Sequence, residues 1–65
     1  MNKYKAEVYS DDPISGERSW GSIPVQARGQ EAARSTAQKV VDTLNEGRST
    51  GKVHIHTVSL TDYDD

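Results

Sequence analysis

Hydrophobic and polar residues alternate from Lys3 to Ser10, with Tyr4, Ala6 and Val8 on one side and Lys5, Glu7 and Tyr9 on the other. A period of two is that of a strand with one face buried. Ser10-Asp11-Asp12-Pro13 and Ser15-Gly16 then break the pattern with residues that favour turns. Asp side chains bond nearby backbone amides, and proline fixes φ. Alternation resumes from Trp20 to Ala27, with Gly21, Ile23, Val25 and Ala27 on one side and Trp20, Ser22, Pro24 and Gln26 on the other. This predicts a second strand antiparallel to the first. Pro24 has no N–H to give, so the strand belongs at the edge of a sheet.

The period lengthens between Gln30 and Asn45, where Ala33, Ala37, Val40, Val41 and Leu44 fall at helical spacing. Glu31, Arg34, Ser35, Gln38, Lys39 and Asp42 fill the opposite face, so a helix with one buried side is expected. Gly29 can serve as its N-cap and Gly47 as its stop. Lys52 to Leu60 is the third strand, rich in Val, Ile and Thr, but its phase slips. Val53 and Ile55 share one face, whereas Val58 and Leu60 share the other. Either a bulge near His56 and Thr57 returns them to the core, or that half packs on a partner. Thr61 to Asp65 is an acidic tail expected to fray.

The resulting fold class is α+β: a three-stranded antiparallel sheet, β-β-α-β in chain order, with one helix packed on one face. With the second strand at an edge, the order that pairs every strand is 2-1-3. The chain reads as one small domain, 1–65, with an ordered core of about 3–60. Sixty-five residues bury only about 60% of the unfolded surface. There is no cysteine, so no disulfide or thiolate-zinc staple assists that core. No run approaches the roughly 18 apolar residues of a membrane span, and no secretory apolar segment opens the chain. A cytoplasmic protein is the expectation.

Formal net charge is −2, with both signs interspersed, which argues against a chain devoted to neutralising phosphates. No nucleophile elbow, Gly-rich phosphate loop or cofactor motif is present, so the reading is non-catalytic and cofactor-free. Binding chemistry is confined to the face away from the helix, where Lys5, Tyr9, Trp20, His54 and His56 are expected together. Exposed aromatics on an open sheet can stack nucleic-acid bases. His54, His56 and Glu7 form a weak two-imidazole, one-carboxylate metal candidate. The same face can instead meet a protein, and the acidic loop of Asp11, Asp12 and Glu17 and the tail with Asp62, Asp64 and Asp65 can meet a basic surface on it. The edge of strand 52–60, with Val58 and Leu60, can pair in a homodimer.

A protein partner is the principal expectation and nucleic acid the alternative. In size, acidity and layout the chain resembles the small regulatory and inhibitor proteins of bacteria and their phages, anti-CRISPR proteins among them. That resemblance implies action by binding.

Overall fold

The computed structural model describes residues 1–61. The acidic tail with Asp62, Asp64 and Asp65 lies outside the described residues. Strand β1 spans Asn2–Asp11, β2 Arg18–Ala27, helix α1 Gln30–Asn45 and β3 Val53–Leu60. They form one antiparallel sheet in the order β2-β1-β3, with the helix on one face. Hydrophobic periodicity therefore located every element, and β1 and β2 are longer than the apolar pattern alone predicts. Asp11 pairs with Arg18 and Ser10 with Ser19, extending the hairpin through polar residues up to its loop.

The loop closes because Asp12 satisfies it from within. Its Oδ1 accepts from the N–H groups of Ile14 at 2.8 Å and Ser15 at 3.0 Å, and its C=O accepts from Gly16 N–H at 2.9 Å. Gly16 takes φ +76°, a conformation costly for any residue with a Cβ. Gly47, at φ +77°, turns the chain out of the helix in the same way.

The hairpin also fixes which main-chain groups face which neighbour. Asp12 N–H donates to Glu17 C=O, so the hydrogen-bonded pairs of this ladder are Ser10/Ser19, Val8/Gly21, Ala6/Ile23 and Tyr4/Val25. Trp20, Ser22, Pro24 and Gln26 consequently turn their backbone groups outward, and the missing N–H of Pro24 falls on that unpaired side. On the other flank Thr61 N–H donates to Lys3 C=O. The outward groups of β3 are accordingly those of Val53, Ile55, Val58 and Leu60.

Side chains from both ends of the helix take up part of this second edge. Val53 N–H donates to Asn45 Oδ1 at 2.8 Å and Asn45 Nδ2 donates to Val53 C=O at 3.0 Å. Gln30 Nε2 donates to Val58 C=O. The homodimer expected along strand 52–60 would thus meet an edge that the chain already engages, with a bulge in its middle.

That bulge resolves the slipped phase of β3. Val8 pairs with Ile55 but Glu7 with Thr57, which leaves His56 as the extra residue. Val58 returns to the core side opposite Ala6 and is buried. Leu60 returns to the same side opposite Tyr4 but remains 56% exposed, because it sits at the sheet's end. The core comprises the contiguous cluster of Tyr4, Ala6, Val25, Ala27, Ala33, Ala37 and Val58, flanked by Ile23 and Ile55, together with the buried Val8 and Val41. Alanines at facing positions of helix and sheet allow close approach.

Two apolar helix residues depart from the expected buried face. Ala33, Ala37 and Val41 are buried, whereas Val40 is 37% and Leu44 45% exposed. Arg34, Gln38, Val41 and Asn45 border a cleft shared with Val53 and Ile55, so that flank of the helix faces β3. Val40 lies on the opposite flank, whereas Leu44 shares the azimuth of Ala33 and Ala37 and is exposed in the last turn of the helix.

Candidate functional site

Because only one layer covers the sheet, the other face is open, and its composition differs sharply from the core face. Cross-strand pairing sets His54, Tyr9 and Trp20 side by side in one row across β3, β1 and β2. The ring centroids of Tyr9 and Trp20 are 5.4 Å apart, as are those of Tyr9 and His54. These distances fall within the range of attractive aromatic pairs.

His56 joins the row from the bulge. Its ring lies edge-to-face with Trp20 at 5.2 Å, and its centroid is 6.3 Å from that of Tyr9. An extra residue in a strand re-aims its own side chain, and here it brings an imidazole toward an indole two strands away. The sequence placed Tyr9, Trp20, His54 and His56 on this face, and the structure brings all of them together.

Arg18 is the member the sequence reading did not group with them. β2 begins at Arg18, which places it on the same face as Trp20. Its guanidinium carbon lies 4.2 Å from the centre of the Tyr9 ring and 6.0 Å from that of Trp20, a cation–π geometry. Nε and Nη2 donate to the two carboxylate oxygens of Asp11 at 2.8 and 3.1 Å, a bidentate pair that holds the fork flat. The available sequence signal was the two-residue spacing to Trp20 together with the Asp11 partner across the turn.

Arg18's hydrogen bonds hold the Asp11 carboxyl below the usual carboxylate range, with a smaller contribution from the charge of His54, and Asp11 in turn raises Arg18. Asp12 is likewise lowered, by the Ser15 and Ile14 amides that it accepts. Neither Asp11 nor Asp12 of the expected acidic loop is therefore a free charge. Asp11 orients Arg18, and Asp12 builds the turn.

Farther along the open face Lys3, Lys5, Ser22, Pro24, Gln26 and Ser59 border a shallow groove. The charged residues of this face are Lys3, Lys5 and Arg18 against Glu7 and Asp11, in a chain whose total is −2. The face bearing the rings thus carries a balance of +1, although five of the eight Lys and Arg residues lie elsewhere.

Val58 is core, and Leu60 lies on the helix side, so neither belongs to this site. Among the described residues no three His, Cys, Asp or Glu side chains converge as a metal-ion cluster, so Glu7 does not complete a set with His54 and His56. Among them, too, no helix is long and apolar enough to cross a membrane. No family model matches this chain, and no curated protein or solved structure matches it either.

Proposed function

We propose that this chain is a small, non-catalytic regulatory module that binds a protein partner through its open sheet face. The observation that carries the reading is the contiguous group Trp20, Tyr9 and Arg18, flanked by His54 and His56. Trp, Tyr and Arg are the residues that dominate protein–protein binding energy when clustered. Indole, phenol and guanidinium supply a large contact area with little conformational freedom to lose. The surrounding Glu7, Ser22 and Thr57 provide the polar rim such a centre requires.

Trp20 is 55% exposed although large apolar groups were available to fill a small core. Function by occlusion of a partner's surface, as in an inhibitor, suits a flat face without a deep pocket. A cytoplasmic setting suits a chain without cysteine.

The test is affinity capture on immobilised wild-type and Trp20→Ala protein. A partner retained by the first and lost by the second is expected, with affinity falling at least about tenfold for a central anchor. Equal retention by both would remove the open face from the binding site.

A second reading is supported by the distribution of charge. Lys3, Lys5 and Arg18 flank rings on which bases of a single strand can stack. Amide shifts at Lys5, Tyr9, Trp20, His54 and His56 on adding a mixed single-stranded oligonucleotide at low salt, lost as salt is raised, would favour it over the protein reading.

A further inference from the structure

We infer that the outer edge of β2 pairs with β2 of a second copy, antiparallel, about a two-fold axis at Trp20. The inference is independent of which partner occupies the open face. It begins from the asymmetry of the two sheet edges. Asn45 and Gln30 take up backbone groups of Val53 and Val58 on β3, and the bulge at His56 interrupts that edge. The outward groups of Arg18, Trp20 and Ser22 on β2 receive no such cover from the helix, and Pro24 blocks only the far half of the strand.

An antiparallel strand pairs through residues of like phase. Centring the pairing on Trp20 sets Trp20 against Trp20 of the second copy and Arg18 against Ser22 of the second copy, leaving Pro24 beyond the bonded stretch. Centring it on Ser22 would place Pro24 opposite Trp20, where a carbonyl would lack its donor.

Three features support a second copy as the occupant of this edge. First, the row His54–Tyr9–Trp20 continues into its own symmetry mate, so the exposed indole gains an aromatic cross-strand neighbour. Second, the pairing meets no charge repulsion. Arg18 lies in the same lateral row as Ser22 and Glu7 of the second copy, with its own Asp11 on the other side, and no like charges are set directly opposite each other. Third, the core face of this edge carries only Ser19 and Gly21, small residues that leave room beside the strand for that of a second copy. The dimer would be a six-stranded sheet, both helices on one side and both aromatic clusters on the other, doubling the open face.

Sedimentation equilibrium of the full chain tests this directly. Wild-type protein is expected to reach twice the chain mass at high micromolar concentration. Ser22→Pro removes an outward N–H at a position equivalent to Pro24 and is expected to give a folded monomer. Leu60→Pro, which alters an outward group on β3, is expected to stay dimeric.

Should Ser22→Pro fail to fold, a second pair decides. Trp20→Lys and Trp20→Glu are each expected to be monomeric alone, and their mixture to dimerise, because only a two-fold at residue 20 sets that position against itself. A wild-type monomer at the highest soluble concentration would overturn the inference, as would a dimer surviving Ser22→Pro, a dimer lost in Leu60→Pro, or a Lys/Glu mixture that stays monomeric.

Discussion

Gly21 illustrates how a single residue can weaken the fold without being required by it. Its φ is not positive, so nothing in the backbone demands glycine. A Cβ built there meets only Val8 Cγ2, at 3.8 Å, an ordinary contact. Glycine within a strand costs conformational entropy and leaves a neighbour uncovered. Gly21→Ala is therefore expected to stabilise the domain by about 0.5–1 kcal/mol, read as a higher urea midpoint at unchanged slope. Asp12 is the opposite case, a polar residue whose role depends on its charge. Accepting the Ser15 and Ile14 amides lowers its carboxyl. A group lowered on folding contributes above its unfolded pKa and loses that contribution as pH falls through its folded value. In a carboxyl NMR titration Asp12 should titrate below an Asp in an unstructured peptide, with the Ile14 and Ser15 amides following the same curve. A midpoint at the peptide value would show that the turn does not depend on that charge.

Among the elements, β3 shows most clearly what periodicity reveals and what it leaves open. The slip between Ile55 and Val58 announced an irregularity, and two solutions fitted it equally well in sequence. The structure takes the bulge, since it alone returns Val58 to the core within one chain. Without His56, the order Ile55 in, Thr57 out, Val58 in would still alternate. Deletion of His56 is accordingly expected to leave a folded, regular β3 with well-dispersed amide signals, while removing one ring from the open face. An unfolded deletion variant would mean that the bulge serves the fold rather than the site. Asn45 was legible only as part of a helix end. Its side chain spans to Val53, and a reach of that kind depends on three-dimensional placement that no local pattern encodes. Asn45→Ala should cost about 1–2 kcal/mol, because it leaves both Val53 groups without their partner, and should raise the amide exchange rate of Val53. The helix face was overread for a related reason. Val40 and Leu44 have the correct spacing, but Val40 sits at the margin of the arc marked by Ala33, Ala37 and Val41, and Leu44 sits in the last turn, so spacing alone does not bury them. Arg18 was missed because a polar strand end carries no alternation to extend.

The whole molecule separates stability from recognition by face, because a single sheet with a single helix has only one interior. On the covered side Ala33 and Ala37 are fully buried and set the distance between helix and sheet. On the open side the largest rings contact one another and solvent rather than the core. Substitutions on the two sides should therefore fail differently. Ala37→Leu adds volume where none is free and is expected to cost about 1–3 kcal/mol, a large share of the stability that a domain of this size can hold. Trp20→Ala removes more atoms yet should cost only about 0.5–1.5 kcal/mol, the worth of its aromatic neighbours. For partner binding the order reverses. Trp20→Ala should abolish capture while its amide spectrum stays native, and Ala37→Leu, at a temperature where it is still folded, should bind as the wild type does. Urea unfolding of both variants beside capture of the same partner distinguishes the two sides. If Trp20→Ala proved the more destabilising, the ring cluster would be a second, exposed core, and the case for an interface at this face would fall with it.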